Sequence, residues 1–424
     1  MFEAFREPDY RRFWTAQFIS NVGSWMQTVA QGWLVYRLTD SPFLLGFVGF
    51  ASSAPALLLM LPGGVVADQL DRKRVVAVSQ IAQALCALFL AISIQLHRIT
   101  VWQIIAAALV VGVAQSFSAP AFQAMVVDLL DDRRRLPNAV AMNSLQFNIS
   151  RAVGPLIAGA TLSAWGSFWC FLVNALSFLP LVWVLYTMRN RQLPFEGSTA
   201  LFARLAEGFR FVRGDRVVML LLAVVAAASL FGFPYLTLLP IVARQLFIDD
   251  ARGLGYLTAA IGAGALLGAL AISARTPRPK TAIPAVVTSL LLFGIALGAT
   301  AAFRSVRMVS LLFFISGVTM VVSLALCNTT IQQRIPDMMR GRVLSMYTFA
   351  FYAFFPVGNL MSGILAERLG IAITLLGLGG GLVLCAVLAG SLLLRHRSAQ
   401  RVEDLLDGRA PAGVHGSVPD REAR

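Results

Sequence analysis

Gly154-Pro155-Leu156-Ile157-Ala158-Gly159 and Gly358-Asn359-Leu360-Met361-Ser362-Gly363 are one phrase written twice, 204 residues apart. The same offset carries Trp165-Gly166 onto Leu369-Gly370, and Gly64 onto Gly268. A constant offset over that length reads as an internal duplication. Each copy of the phrase lies late in an apolar run, and roughly 20 apolar residues cross about 30 Å of hydrocarbon as a helix. Twelve such runs are drawn, at 13–37, 42–67, 75–96, 101–127, 138–164, 168–188, 217–243, 254–274, 281–302, 308–333, 341–366 and 371–394. Lipid offers the backbone no hydrogen-bond partner, so a spanning segment is a helix or part of a closed barrel. These runs are too long and too continuously apolar for barrel strands. The expected fold is an all-α membrane protein, with twelve transmembrane helices in two pseudo-symmetric six-helix bundles. Each half holds an even number of spans, so both copies enter from the same side and enclose a cavity between them.

The longest internal connection divides the chain. Residues 1–188 form an N-terminal bundle, 189–216 a linker, 217–394 a C-terminal bundle, and 395–424 a tail expected to be disordered. In the linker, Leu201, Phe202, Leu205, Phe209 and Phe211 alternate with Arg204, Glu207, Arg210 and Arg213, the pattern of an amphipathic helix on the membrane surface.

Charged residues make up 13% of the chain, against about 25% in an ordinary soluble domain. The net charge of +14 is distributed by side. Of 35 Lys and Arg, 27 fall in the termini and alternate loops, seven at the opposite ends, and Arg151 inside a span. That bias puts both termini in the cytoplasm. No continuous basic face exists, which argues against nucleic acid. Cys86, Cys170, Cys327 and Cys385 lie inside spans without paired spacing, so neither a disulfide framework nor a metal site is expected. No small-residue cleavage site follows a short apolar core near Arg6, Arg11 and Arg12, so the first helix reads as retained.

Within this apolar background a few polar side chains carry the chemistry. Gln17, Asn21, Ser24, Thr28 and Gln31 follow steps of four, three, four and three, which makes one narrow stripe on the first helix. Such a stripe needs a wet cavity or a packed partner helix, and two glutamines and an asparagine favour the cavity. Arg151 sits near the middle of span 5, on a face with Ser144 and Asn148. A charge there faces protein or water. It serves either as an interior cation for substrate or helix coupling, or as a structural Arg satisfied by carbonyls. Four residues on, Pro155 removes a backbone donor and leaves the Arg151 carbonyl without its usual partner. Gln115, Ser118, Asn328, Gln332, Tyr347 and Tyr352 are further candidates for the cavity wall. Tyr235 follows Pro234 and two phenylalanines, where a helix break would expose backbone beside an aromatic surface.

Span 2 ends in Gly63-Gly64-Val65-Val66-Ala67-Asp68-Gln69-Leu70-Asp71-Arg72-Lys73-Arg74. Asp68, at the membrane boundary, can cap another helix or pair with a base, and Asp128 at the end of span 4 is the natural mate for Arg72 or Arg74. This run resembles the signature loop between helices 2 and 3 of the major facilitator superfamily. It departs from that pattern at Gln69, usually basic, and at Asp71, usually Gly. Ser150, Gly154, Pro155, Ala158 and Gly159 resemble the helix-5 motif of drug:proton antiporters. Ser118-Ala119-Pro120-Ala121, Pro336-Asp337 with Arg340-Gly341-Arg342, and Arg37-Leu38-Thr39-Asp40-Ser41-Pro42 look like the branch of enterobactin exporters and macrolide efflux pumps.

The resemblance covers nearly all the chain before the tail. It implies a multi-pass protein of a bacterial inner (cytoplasmic) membrane. The protein would export a small hydrophobic or amphiphilic molecule, drug-like or siderophore, by alternating access and proton-coupled antiport. It also implies that Asp68 contacts the start of helix 11 near Gly341, and that an Arg72–Asp128 pair, with Lys73 and Arg74 beside it, locks the outward-facing state. Gly64, Gly154 and Pro155 would belong to the same moving parts. The family's interior Arg on helix 4 is missing, and Arg151 stands in for it by position. No His, Asp or Glu lies mid-span, so a proton would ride on an end-placed carboxylate such as Asp68, Asp128 or Asp40, or coupling would run through the substrate. Glycine runs such as Gly377 to Gly381 lack a Gly-Lys-Ser/Thr ending, so a gradient rather than ATP is the expected drive. An importer or lysophospholipid carrier of the same fold, and a membrane sensor or assembly protein without flux, are the competing readings. No enzyme activity and no cofactor are implied. The expected partners are a small-molecule substrate, the lipid bilayer and protons; the oligomeric state is left open and a monomer fits. Replacing Asp68 by Asn is expected to cripple transport while expression persists, and near-normal transport would remove Asp68 from the gate.

Overall fold

The structure, a computed structural model, describes residues 3–188, 209–273 and 279–406. The side chains of Asp68, Arg340 and Gly341 lie outside that description, as does most of the surface helix expected at 201–213.

Helices account for the described chain in the order α1 (Pro8–Thr39), α2 (Pro42–Gln69), α3 (Arg72–Gln95), α4 (Val101–Asp128) and α5 (Leu136–Trp165). The N-terminal half closes with α6, which runs as Ser167–Ser177 and Leu179–Thr187. The second half begins with α7, in two pieces, Arg216–Ala227 and Tyr235–Leu246. It continues as α8 (Asp250–Ser273), α9 (Pro279–Ala299), α10 (Val306–Arg334), α11 (Asp337–Leu369) and α12 (Ile371–Leu406). Ten of these helical stretches are apolar enough to cross a membrane. The remaining two, α1 and α5, are 32 and 30 residues long and less apolar, because they carry the polar stripe and Arg151. Helix α12 runs on to Leu406, past the boundary drawn at 394, since Gln400, Arg401, Glu403 and the leucines after it are good helix formers even without apolar continuity.

Local chemistry sets the helix ends. Thr100 and Gln103 form a capping box at α4. Asp71, the departure from the superfamily loop, accepts from the Lys73 N–H at 2.9 Å and caps α3. Gly166 and Gly370 end α5 and α11 with φ of 85° and 82°, so the duplicated phrase terminates alike in both halves. In α7, Phe233 N–H reaches back five residues to the Ala228 carbonyl, and Pro234 cannot donate; the helix breaks there as its sequence anticipates.

The halves meet along two matched crossings, α5 against α8 and α11 against α2. A methyl added at Gly159 would stand 2.9 Å from Gly255 Cα, and one added at Gly363 would stand 2.9 Å from Gly46 Cα. Gly159 and Gly363 are 204 apart, whereas Gly46 and Gly255 are 209 apart. The second helix of each half is therefore displaced by five positions in the duplication. This corrects the pairing of Gly64 with Gly268. A methyl added at Gly268 would stand 2.6 Å from the Val318 carbonyl, while one added at Gly64 would meet no other element within 4 Å among the described residues; its neighbour Gly63 makes the close approach, to the Ser116 carbonyl.

Both crossings lie toward the end that carries the α1–α2, α5–α6, α7–α8 and α11–α12 turns, hereafter the far end. The opposite end carries the termini. Substituting Val at Gly159 or Gly363 is expected to lower disulfide cross-linking of a Ser41→Cys/Glu367→Cys pair by about fivefold or more, because overpacking costs about 1–3 kcal/mol. Unchanged cross-linking would mean that the halves do not close on these glycines.

Candidate transport site and gates

At mid-depth the two halves bring together Trp25 of α1, Arg151 of α5, Tyr235 of α7 and Met320 of α10. The Arg151 guanidinium lies 4.0 Å from the Met320 sulfur and 5.8 Å from the Trp25 ring centroid. Only 7% of Arg151 is exposed. Tyr235 is fully buried, stacked on Phe313 at 5.6 Å, and its hydroxyl has no hydrogen-bond partner. Arg151 and Tyr235, picked separately from the sequence, thus lie in opposite halves within electrostatic range of each other. Trp25 and Met320 were not anticipated; nothing in their apolar surroundings distinguishes them from packing residues.

The polar stripe of α1 divides. Gln17 donates to Asn21 at 3.0 Å and Thr28 to the Ser24 carbonyl at 2.8 Å; Asn21, Ser24 and Gln31 are half-buried and Thr28 is exposed. The buried polar contacts of α1 come from residues off the stripe. Gln27 accepts from Asn174 at 2.7 Å, and Ser20 donates to Gln80 at 3.4 Å. Gln115 donates to Gln83 at 3.1 Å, inside the N-terminal half, and Ser118 is buried. Asn148 donates to the Ser144 carbonyl on its own helix at 2.8 Å. In the other half Gln332 donates to Asn328, and the Tyr347 hydroxyl reaches the Leu324 carbonyl at 3.3 Å. Tyr352 is half-buried against Phe351.

Two hydrogen-bonded locks join the halves at the far end. Ser41 caps α2, and its hydroxyl donates to Glu367 in the last turn of α11 at 3.0 Å; Glu367 also accepts from the Phe43 N–H at 3.0 Å. A free helix N-terminus favours such a carboxylate. At the matching corner the Ser163 hydroxyl, in the last turn of α5, donates to Asp249 at 2.6 Å. Asp249 accepts as well from the Arg252 N–H at 3.1 Å, just inside α8. The duplication has kept the contact and exchanged its partners, with the carboxylate on the helix end in one corner and on the cap in the other. The Ser163 hydroxyl, followed by the Arg252 backbone N–H, holds the Asp249 carboxyl below the ordinary carboxylate range. A depressed value means the lock contributes above that range and weakens only as pH falls below it. Between the corners Arg244 pairs with Asp40 at 2.7 Å and stacks over Tyr36 at 5.2 Å, beside a cavity of about 340 Å³ bordered by Trp33 and Arg37.

At the terminus end the following ion pairs among the described residues each stay within one half. Arg72 meets Asp128 at 2.8 Å with both side chains largely buried, and the Lys73 ammonium donates to the Met188 carbonyl. Arg74 and Asp71 make an exposed pair at 3.7 Å. Arg135 pairs with Glu7, and Arg334 with Asp215 at 3.0 Å. Gly154, beside Pro155, packs on α1 with a methyl there 2.6 Å from Trp25 Cβ.

Two six-helix halves with a split polar centre and locks at one end define a membrane transporter rather than an enzyme. The chain belongs to the transmembrane secretion effector family of the major facilitator superfamily, whose family model matches residues 1–411. It is 25% identical over 369 residues to the staphyloferrin A transporter of Staphylococcus aureus, covering 85% of this chain and 90% of that one. It is 26% identical over 390 residues to the multidrug efflux pump Tap of Mycolicibacterium fortuitum, covering 88% and 93%. Its fold matches a bacterial homologue of the human lysosomal transporter Spinster in an inward-facing, occupied conformation, with a TM-score of 0.73, 14% identity, and coverage of 93% and 99%. The protein is a multi-pass membrane transporter of small molecules.

Exposed hydrogen bonds contribute modestly, so the locks should tune gating rather than decide it. Replacing Ser163 and Glu367 together by Ala is expected to raise maleimide labelling of a Gln31→Cys reporter from the far side about threefold, the equivalent of under 1 kcal/mol. Labelling at the wild-type rate would show that the corners do not hold the far end shut.

Proposed function

We propose that this transporter exports a small hydrophobic or amphiphilic compound from the cytoplasm by alternating access, in exchange for protons. The observation that carries the reading is the asymmetry of the contacts between halves. The glycine crossings and hydrogen-bonded corners lie toward the far end, while the ion pairs described at the terminus end remain inside single halves. The 27 Lys and Arg gathered at the terminus side support a cytoplasmic location for both termini. In that orientation the conformation is shut toward the outside and receives cargo from within. Rocking of the halves about the centre breaks the corners and brings the terminus ends together.

In this reading the cavity wall is shared by the α1 stripe, by Asn148 and Arg151 of α5, by Tyr235, and by Asn328 and Gln332 of α10. The Arg72–Asp128 pair stiffens the loop that meets α11 when the cytoplasmic end closes, with Asp68 and Gly341 as the contact. Names of similar proteins support an efflux role, and the bilayer itself is the second partner. Inverted membrane vesicles energised by respiration should concentrate at least one of ethidium, Nile red and 8-anilinonaphthalene-1-sulfonate above the level in vesicles lacking the protein. An uncoupler should collapse the gradient. Failure of all three dyes to accumulate, with uptake by right-side-out vesicles instead, would reverse the direction; accumulation at the same rate in the uncoupler's presence would remove the proton.

A further inference from the structure

We propose that Arg151 and Tyr235 form a recognition site for an acidic group on the cargo, a carboxylate or sulfonate borne by an aromatic or otherwise apolar body. The inference rests on the transport reading above and names the class of molecule carried.

A guanidinium presents five N–H donors and is never neutral under physiological conditions. A central position in the membrane costs it about 2.5–3.5 kcal/mol even on insertion scales that allow relaxation. Other arginines in sheltered positions of this chain have carboxylates: Arg72 has Asp128 and Arg135 has Glu7. Arg151 is more deeply buried than these and has no carboxylate partner among the described residues. Its neighbours are a thioether sulfur at 4.0 Å and an indole ring at 5.8 Å. Neither neutralises a full charge.

The second observation is independent of the first. The Tyr235 hydroxyl is fully buried, has no hydrogen-bond partner, and lies within electrostatic range of Arg151. A buried hydroxyl without a partner costs about 1–3 kcal/mol. One charged donor without a carboxylate and one neutral donor without a partner, carried by opposite halves and within electrostatic range of each other, are the complement of a single acidic group. Charge-assisted bonds to such a group are about twice as strong as neutral ones. The surroundings set the rest of the ligand: Trp25 on one side, and the Tyr235–Phe313 stack on the other, offer flat apolar surface. Met320, unbranched and easily rearranged, holds the place that an acidic oxygen takes.

The site is divided between the halves, with Arg151 on α5 and Tyr235 on α7. An anion held by both ties the halves together at mid-depth, and this links occupancy to the conformation of the gates.

The test uses the full-length protein in lipid nanodiscs and two probes of one shape, 1-naphthaleneacetate and 1-naphthaleneacetamide, titrated calorimetrically. The acetate should bind about tenfold more tightly than the amide. Arg151→Gln should abolish that preference, Arg151→Lys should retain part of it, and Tyr235→Phe should weaken acetate binding about threefold while leaving the amide unchanged. Tyr235→Phe removes an unpaired hydroxyl and so keeps the test available if Arg151→Gln does not fold. Equal affinity for the two probes, or a preference that survives Arg151→Gln, would overturn the proposal; so would a Tyr235→Phe variant of unaltered selectivity. If dyes accumulate in vesicles but the probes bind alike, transport stands and the acidic-group site falls. If the acetate is selected although no dye moves, the site stands and the export reading falls.

Discussion

Backbone must touch backbone where the halves meet. In lipid there is no hydrophobic force between helices, and association depends on close van der Waals packing and on hydrogen bonds that small residues permit. At Gly159–Gly255 and Gly46–Gly363 the helices come as near as main chains can, and a side chain on either member would hold them apart. The far-end corners depend on this approach. Ser163 is one turn beyond Gly159, and Glu367 one turn beyond Gly363, so the glycines bring the last turns of α5 and α11 within hydrogen-bonding reach of the caps of α8 and α2. Weak, solvent-exposed bonds can act as a gate there because the packing beneath them has already set their distance.

The interior of each half adds buried polar contacts to close approaches such as Gly112 on the Ser52 carbonyl and Gly264 on the Phe314 carbonyl. In the N-terminal half, Gln27–Asn174, Ser20–Gln80 and Gln115–Gln83 link α1 to α6, α1 to α3, and α4 to α3. Such interhelical bonds contribute about 0.6 kcal/mol on average in membranes. Together with the Arg72–Asp128 pair they let a half move as one body. The contrast is mechanical: hydrogen-bonded polar groups bind the helices of a half to each other, while Arg151, with no carboxylate partner among the described residues, and Tyr235, whose hydroxyl is unbonded, sit on the boundary between halves.

Much of this was legible in the sequence, and the reasons are specific. Span number and helix class follow from apolar length, which lipid enforces without exception. The matched ends at Gly166 and Gly370 follow from an offset of 204 that holds unbroken from the Gly154 and Gly358 phrases to these glycines. The α7 break follows from Pro234. The Gly64–Gly268 match failed because equal spacing of two glycines carries no information on what each faces, and five positions had been added between the second helix and the fifth. The stripe on α1 was visible as a period, but periodicity could not tell that Gln27 and Ser20, off the stripe, make the buried contacts. The corner residues were hidden for another reason. Ser41 and Asp249 read as ordinary helix caps, and only the crossing of helices more than 80 residues apart gives their side chains a second partner.

The exchanged corners also explain how a duplicated chain can work asymmetrically. With Glu367 opposite Ser41, the carboxylate sits at the free N-terminus of α2 and takes a main-chain donor, Phe43, besides the hydroxyl. With Asp249 opposite Ser163, the carboxylate is part of the α8 cap and keeps its Arg252 bond whether or not the halves are closed. Opening therefore costs the first corner both of its donors across the boundary and the second corner one. The α2–α11 side is the tighter hinge and the α5–α8 side the easier to part.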